Sequence, residues 1–296
     1  RQMCIRDRYE AKPIAPGFGV EISGLNLATG VSGNLVGDLI QIWFEAGGIA
    51  VIHDQNFNSE QHIAFSRCFG PLFGDPGEEP LQDTVSRYIH PNYPEIYRVS
   101  TQVDDKGQPL GRKGAGTYWH SDVSFRERPA QASLLLGKQI PTVGGDTLFA
   151  DQARAFEALS DNMKSLCSSL FAWHDFEGAA RSQYANSVVV EGDMSGVNRA
   201  LHPVVRTNPD TGRKSLFINP GFTSHINGFT AAESEAILNF LYSHCIKPEF
   251  VYRHTWREKD LVIWDNRSVM HYAVMDYSDS EPRYMERCTV IGERPV

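Results

Sequence analysis

Two neighbouring residues, a histidine and an aspartate, together with one distant histidine most constrain how this chain can fold. His120 and Asp122 stand two positions apart, and His271 lies far downstream. In an extended strand alternate side chains share one face, so His120 and Asp122 could contact one ion while Ser121 points away. Two imidazoles and one carboxylate are the ligand set of non-haem ferrous sites that keep coordination positions open. The fold is therefore expected to bring His271 to the other two residues.

Two downstream motifs have the chemistry to bind an anion beside such an ion. Gly144–Thr147 is predicted to be a tight turn feeding a strand, with the Thr147 hydroxyl donating to a carboxylate; the alternative is a plain glycine hairpin turn. Arg283 and Arg287 would lie roughly 13 Å apart on one strand face with Met285, at about 3.3 Å per residue. If that face is buried, both guanidiniums need anions. If it faces solvent, they need none.

Composition limits the class of protein. The chain has 296 residues, of which 41% are hydrophobic and 22% charged, which suits a globular β-rich protein and not disorder. Its net charge of -8 argues against a nucleic-acid partner, although local arginines can still bind a small anion. No apolar run approaches membrane-spanning length, so no membrane partner is predicted. Five scattered cysteines indicate a reducing compartment and predict a cytoplasmic protein.

Hydrophobic periodicity predicts a mainly β protein with flanking helices. Residues 1–8 fit neither pattern and are expected to be a non-native leader, which leaves 9–296 as a single domain. The stretch from Gly74 to Thr117 has no periodicity and is predicted to be an irregular lid or binding loop. A hairpin is expected to join His271 to Arg283. Short strands with long excursions favour a jelly-roll barrel over a parallel βαβ sheet.

The individual elements follow from apolar spacing and capping residues. The predicted helices are Leu35–Phe44, one that begins at Asn58 or Ser59, Ala153–Leu170 with a break near Ser160, and Ala231–His244. The predicted strands are Ile49–Ile52, Ala132–Leu136, Thr147–Ala150, Leu216–Ile218, Leu261–Trp264 and Tyr284–Ile291.

Over essentially everything after residue 8, the chain resembles the taurine dioxygenase (TauD/TfdA) family of Fe(II)/2-oxoglutarate dioxygenases. The segments that carry the resemblance are Trp119–Phe125, Gly145–Ala150, Leu201–Thr207, Ile263–Arg267 through His271 and Tyr272, and Arg283–Arg287. The resemblance implies a double-stranded β-helix (jelly-roll, cupin-like) core. It also implies Fe(II), 2-oxoglutarate and O₂ as cofactor and cosubstrates. Dimers or tetramers are common in the family, so a homodimer or homotetramer is expected.

The resemblance also assigns roles within the site. His120, Asp122 and His271 would hold the iron. Arg283 would bind the distal carboxylate of 2-oxoglutarate as a bidentate pair, assisted by Thr147. Arg287 would lie near the C1 end of the keto acid or near the substrate anion.

For the substrate, the resemblance implies a small organic anion, either taurine or a related sulfonate that is cleaved to sulfite and an aldehyde. His90, Tyr93 and Phe222 match substrate-binding positions, although His90 could cap a loop and the two aromatics could be core. Gly116 and Ala180 depart from the taurine pattern, and both changes would enlarge and depolarise the pocket. A bulkier alkyl sulfate, aryloxy acid or other carboxylate is therefore the alternative substrate.

Two rival classes use the same residues differently. A metallohydrolase would use the triad with zinc to activate water. A non-catalytic jelly-roll would bind an anionic ligand without needing His120. The metallohydrolase would have no use for Arg283 and Thr147 paired as a clamp for a keto acid, and the binder predicts that His120→Ala leaves ligand affinity intact.

Overall fold

The computed structural model describes residues 9–81, 88–176, 198–278 and 281–296, and the structural statements below refer to these ranges. Residues 1–8, predicted to be a leader, and Ala180 lie outside them. The α-helices are α1 Gly33–Glu45, α2 Ser59–Ser66, α3 Gln152–Glu157, α4 Asp161–Ser168 and α5 Ala231–Cys245. The strands are β1 Glu10–Ala15, β2 Phe18–Ser23, β3 Ile49–Ile52, β4 Ile89–His90, β5 Tyr93–Ser100, β6 Ala130–Gln139, β7 Thr147–Asp151, β8 Phe171–Asp175, β9 Arg199–Pro203, β10 Val205–Thr207, β11 Lys214–Leu216, β12 Thr223–Ile226, β13 Val251–His254, β14 Leu261–Asp265, β15 Val269–Ala273 and β16 Tyr284–Ile291.

Two sheets form the core of the molecule. The large sheet has the strand order β1-β2-β3-β14-β6-β16-β5-β4, and the small one has the order β13-β7-β15. Apolar side chains from both sheets meet between them, including Phe149 of β7, Trp264 of β14 and Met285 of β16. Two layers of mostly antiparallel strands over a shared apolar interior are the jelly-roll arrangement. The predicted mainly β architecture is confirmed.

The central strand β14 explains why the large sheet is buried on both faces. Val262 and Trp264 point between the two sheets. Leu261 and Ile263 point to the opposite face, where they join a second apolar cluster. Because successive strand residues face opposite ways, an unbroken apolar strand of this kind must be covered on both sides.

Helices α1 and α2 cover the outer face of the large sheet. Leu39 and Trp43 of α1 and Ile63 and Phe65 of α2 are buried in the same cluster as Leu261 and Ile263. At the start of α2, Asn58 and Gln61 exchange side-chain hydrogen bonds with the backbone, which forms a capping box. The helices predicted near residues 35–44, 59, 153–170 and 231–244 are all present, and Ser160 caps the helix that begins after the predicted break.

The prediction of an irregular stretch from Gly74 to Thr117 is wrong in part. The eight-residue strand β5 lies within it and pairs with β16. Its polar residues mask the strand pattern, because Glu95 and Arg98 are satisfied by partners outside the strand: Arg67 donates to Glu95, and Arg98 donates to the carbonyl of Ile89. Such partners cannot be read from local periodicity.

The predicted hairpin between His271 and Arg283 is also wrong. His271 lies on β15 in the small sheet, whereas Arg283 directly precedes β16 in the large sheet. The two residues approach each other because the sheets face one another across the interior. Within the described ranges, no helix combines the length and apolarity needed to cross a lipid bilayer.

Candidate metal centre and active site

His120 reaches His271 through backbone pairing. Each of the two residues donates its amide N–H to the carbonyl of the other, at 3.0 and 2.8 Å. The predicted strand for the His-X-Asp motif is wrong, because His120 forms a single β-bridge and a turn follows it. Val123 takes a φ of +46° in that turn, a conformation that is strained for a β-branched residue. The turn, not strand alternation, places Asp122 beside both imidazoles.

Among the described residues, the three form the one cluster with metal-ligand geometry. Their candidate ligand atoms all lie within 4.8 Å of one another, and all three residues are buried. The Nε2 atoms of His120 and His271 are 3.7 and 3.8 Å from the carboxylate oxygens of Asp122. Two bonds of roughly 2.1 Å from nitrogen or oxygen to a divalent ion can span that separation. The donor set therefore fits a ferrous ion bound from one side.

The protonation states of the cluster suit metal binding. The Nδ1 of His120 is 2.9 Å from the carbonyl of Tyr118, which can only accept a hydrogen bond. The proton therefore sits on Nδ1, and Nε2 presents its lone pair to the cluster. Burial lowers the pKa of His120 and, more strongly, that of His271, so both imidazoles are neutral ligands.

The Asp122 carboxylate is held by partners on both oxygens. Arg287 donates to Oδ1 at 2.5 Å, and the hydroxyl of Ser133 donates to Oδ2 at 2.7 Å. Asn266 accepts from the backbone N–H of Asp122 and donates to Ser133. Burial acts to raise the pKa of Asp122, but the Arg287 guanidinium and the hydrogen bond from Ser133 oppose it, and the pKa lies below its usual value. The carboxylate is thus ionised and fixed in orientation.

Arg283 is a buried cation that faces the same cavity. Its side chain is 4% exposed, and burial lowers its pKa. Within the described ranges it forms no ion pair, and its guanidinium contacts the carbonyl of Gly145 at 3.3 Å while Nε has no partner. A buried guanidinium without a carboxylate is costly, so the geometry calls for an anionic ligand here.

Thr147 lines the cavity together with Arg283. The indole N–H of Trp256 donates to its hydroxyl oxygen at 2.9 Å. Because that bond uses a lone pair of the oxygen, the hydroxyl proton of Thr147 is free to donate to a carboxylate. Thr147, on β7 of the small sheet, and Arg283, directly before β16 of the large sheet, therefore both face the cavity, as predicted for the anion clamp.

The cavity has an empty volume of about 850 Å³, which includes open solvent at its mouth. It contains the three candidate metal ligands and the anion clamp. Phe222 also lines it, with its ring edge-on to His120 and Tyr118. Packing against Phe125 makes this wall apolar.

The structure does not bring His90 and Tyr93 to this cavity. The Tyr93 hydroxyl donates to Glu60, and its ring packs against the cluster beneath α2. The His90 ring packs on Tyr93, and its Nδ1 accepts from the backbone N–H of Asn92. A register shift where β4 pairs with β5 accompanies this placement. Neither residue is among the described residues that line the cavity, and a substrate role for them stays a prediction.

Among the polar lining residues, the sequence did not indicate Tyr97, Arg112 or Tyr118. Tyr97 lies on β5, the strand that the sequence did not reveal. Arg112 follows in an irregular segment and hydrogen bonds to Tyr97. The only sequence signal for Tyr118 was its position two residues before His120.

Gly116 also lines the cavity, but space is not the reason for a glycine there. Its φ is +75°, and a Cβ at this position would stand 2.7 Å from Cε1 of His120. The backbone of Gly116 accepts from the N–H of Ala273 on β15. The glycine thus allows the chain to pass directly over a candidate metal ligand. Ala180, the other predicted departure from the taurine pattern, lies outside the described residues.

Comparisons with known proteins agree with this geometry. Residues 10–289 match the family described as "Taurine catabolism dioxygenase TauD, TfdA family". The chain is 33% identical to the alpha-ketoglutarate-dependent 2,4-dichlorophenoxyacetate dioxygenase of Cupriavidus pinatubonensis, covering 97% of this chain and 99% of that protein. It is 32% identical to the alkylsulfatase of Acinetobacter baylyi, covering 93% and 83%. The crystal structure of a taurine dioxygenase from Burkholderia xenovorans superposes with a TM-score of 0.79 at 29% identity, covering 98% and 91%.

These matches extend over nearly the whole chain, and several of the relatives are alpha-ketoglutarate-dependent dioxygenases. They offer no support for a hydrolase. The chain therefore belongs to the TauD/TfdA family and is an Fe(II)- and 2-oxoglutarate-dependent dioxygenase.

Proposed function

We propose that this enzyme hydroxylates a small organic anion with an apolar body, at a carbon held close to His120, Asp122 and His271. The observation that carries the proposal is the shared cavity, in which two neutral imidazoles and an ionised carboxylate, a buried arginine without an ion pair among the described residues, and an apolar wall meet. When bound, ferrous ion with 2-oxoglutarate and O₂ supplies the oxidising chemistry. The chain's own contribution is to bind, orient and exclude water.

Each residue of the cavity has a distinct role in this proposal. His120, Asp122 and His271 hold the iron from one side. Arg283 and Thr147 bind the distal carboxylate of 2-oxoglutarate, because the one is a buried cation and the other has a free hydroxyl proton. Arg287 fixes Asp122 and lies near the C1 end of the keto acid.

The cavity favours a bulkier anion over taurine. The wall around Phe125 and Phe222 is aromatic, and Gly116 contributes no side chain. His90 and Tyr93, which were predicted to bind a sulfonate and an amine, are not among the described residues that line the cavity. An aryloxy acid or alkyl sulfate, the classes acted on by two of the relatives, fits an aromatic wall better than a small zwitterion does. Taurine is the second candidate because of the Burkholderia structure.

A substrate panel tests the proposal. The enzyme is loaded with Fe(II) and 2-oxoglutarate without oxygen, and taurine, alkyl sulfates and aryloxy acids are then supplied with O₂. We expect succinate formation coupled to the loss of an aryloxy acid or alkyl sulfate. Sulfite release from taurine in step with succinate would instead establish the desulfonating activity. Turnover without oxygen, or no succinate with any compound, would contradict the proposal.

We also infer that residues 9–296 act as a single domain, since the cavity draws on segments from Leu81 to Arg287. Free thiols at Cys68, Cys167 and Cys245 suit a cytoplasmic location. The assembly is a homodimer or homotetramer, as in the family. Light scattering of the purified enzyme measures its mass, and a monomer would contradict this expectation.

A further inference from the structure

We infer that Trp256 is a positioning residue for 2-oxoglutarate, because its indole directs the hydroxyl proton of Thr147 toward the distal carboxylate of the keto acid. This inference deepens the proposed function and rests on it. The indole N–H donates to the Thr147 hydroxyl oxygen at 2.9 Å. Thr147 is among the described residues that line the cavity, whereas Trp256 is not. Trp256 therefore acts through Thr147 and not by its own contact with the ligand.

The direction of this hydrogen bond follows from the chemistry of the two groups. An indole N–H can only donate, whereas a threonine hydroxyl can both donate and accept and rotates to suit its neighbours. With the indole as donor, one lone pair of the Thr147 oxygen is occupied and the hydroxyl proton is left for the cavity. Without that donor, the hydroxyl could rotate and present a lone pair to the ligand, which would repel a carboxylate.

The indole is held rigidly at its place beside Thr147. Trp256 is 5% exposed and belongs to the same buried cluster as Phe149 and Met285. Its ring also packs edge-on against His254, with 4.8 Å between the ring centres. A side chain packed on several sides loses rotamer freedom, so the donor keeps one direction.

The backbone that carries the indole is tied to the strand that carries its acceptor. His254 of β13 lies opposite Thr147 of β7 in the small sheet. The hydroxyl of Thr255 donates to the carboxylate of Asp146 at 3.3 Å, and Asp146 directly precedes Thr147. These two connections fix the approach of Trp256 to Thr147 from the side of the small sheet.

This arrangement gives the site a preference among ligands. The guanidinium of Arg283 has only donors, and the directed hydroxyl of Thr147 adds a further donor. An ionised carboxylate only accepts hydrogen bonds and therefore satisfies both groups, whereas a methyl group in its place satisfies neither. Trp256 thus helps to select a keto acid that ends in a second carboxylate.

Binding of keto acids to the anaerobic Fe(II) enzyme, measured by calorimetry, tests this inference. The ligands are 2-oxoglutarate and 2-oxopentanoate, which has the same chain length but ends in a methyl group. Trp256→Phe keeps an aromatic ring and removes the N–H. It should weaken 2-oxoglutarate binding by about 3- to 10-fold, the value of one neutral hydrogen bond. The affinities for 2-oxopentanoate and for Fe(II) should stay the same.

A double-mutant cycle separates positioning from a general loosening of the fold. Thr147→Val should weaken 2-oxoglutarate binding by about 10- to 100-fold, since a hydrogen bond to a charged group is lost. Adding Trp256→Phe to Thr147→Val should cause no further loss, because the indole then has no hydroxyl to direct. Trp173→Phe is the matched control, since it removes an indole N–H that donates to Asn227 away from the described cavity lining. It should bind both keto acids as the wild type does.

Unchanged 2-oxoglutarate affinity in Trp256→Phe would overturn the inference. An equal loss of affinity for 2-oxopentanoate, or losses in the two single variants that add up in the double variant, would overturn it as well. Unchanged 2-oxoglutarate affinity in Thr147→Val would contradict the role of Thr147 and the inference with it. Failure of the wild-type enzyme to bind 2-oxoglutarate would instead contradict the proposed function itself.

Discussion

The two oxygens of Asp122 have different partners, and this decides how the carboxylate can serve a metal. Arg287 neutralises one oxygen and Ser133 hydrogen bonds to the other. Ser133 is in turn held by Asn266, whose side-chain oxygen also accepts from the Trp264 indole. Partners of this kind orient metal ligands, so residues without metal contact should still affect metal affinity.

Ser133→Ala should weaken Fe(II) binding by about 10- to 100-fold, because Asp122 loses an orienting hydrogen bond. The same change leaves the Asn266 amide without its acceptor, which should cost about 1–3 kcal/mol of stability. Anaerobic Fe(II) titration and denaturant unfolding measure the two effects. Ser243→Ala removes an exposed serine hydroxyl from α5 and is the matched control. Equal Fe(II) affinity in both variants would show that Ser133 does not orient the carboxylate.

Gly116→Ala should displace His120 and lower Fe(II) affinity at least 10-fold, since the new Cβ would lie 2.7 Å from the imidazole. Gly212 offers a close control. It also has a positive φ, +69°, but a Cβ there meets nothing within 4 Å. Gly212→Ala therefore carries the same backbone strain, about 1–2 kcal/mol, without the collision. If the two alanine variants bind Fe(II) equally well, the collision has no functional effect.

At the scale of elements, the sequence predicts the strands and helix starts that depend on residues close together in the chain. The strand Tyr284–Ile291 has the predicted bounds, and the predicted helix α5 begins with a capping box formed by Thr230 and Glu233. Apolar alternation and capping act within a few residues, so one sequence shows them. The turn after His120 and strand β5 depend on distant partners and could not be predicted in the same way.

The start of α3 has a pH-dependent cap. Oδ1 of Asp151 accepts from the N–H groups of Ala153 and Arg154, whereas its buried Oδ2 has no partner among the described residues. Burial raises the pKa of this carboxyl to about 6. Since the folded pKa exceeds the unfolded value of about 3.9, the folded state binds the proton more tightly, and stability falls as pH rises from about 4 through 6.

Asp151→Asn should remove this contribution, because the amide keeps the capping oxygen but cannot ionise. Between pH 4 and pH 6.5, the free energy of unfolding of the wild type should fall by up to about 3 kcal/mol more than that of the variant. Denaturant unfolding across that range measures the difference. Asp161→Asn, at an exposed acid in the first turn of α4, is the control. Parallel pH profiles for wild type and Asp151→Asn would contradict the assignment.

At the scale of the whole molecule, the two faces of the large sheet have different roles: the outer face contributes to stability, and the inner face contributes residues to the cavity. Its outer face packs on α1 and α2, and its inner face carries Arg287 and Ser133. From sequence alone, the candidate ligands and the arginine pair were identified, since their residue types carry the signal. The place of Arg112 in the cavity wall was not, because it depends on β5 and on the path of the chain toward His120.

Trp43→Ala tests this separation. Trp43 is 1% exposed on α1 and packs on Phe44 and Phe69. Its removal should cost about 3–5 kcal/mol in denaturant unfolding, while the folded variant should bind 2-oxoglutarate as the wild type does. Phe240→Ala, at an exposed phenylalanine of α5, should change stability by less than about 1 kcal/mol. A large loss of 2-oxoglutarate affinity in Trp43→Ala would show that the two faces are coupled.

The most direct test of the central claim is an anaerobic titration of the Fe(II)-loaded enzyme with 2-oxoglutarate, followed by visible absorption. The wild type should develop a saturable charge-transfer band, and His120→Ala should not. Arg283→Gln should need about 10- to 100-fold more 2-oxoglutarate, because a charge-assisted hydrogen bond is lost, while its Fe(II) affinity stays the same. Absence of the band in the wild type, or unchanged 2-oxoglutarate affinity in Arg283→Gln, would contradict the account.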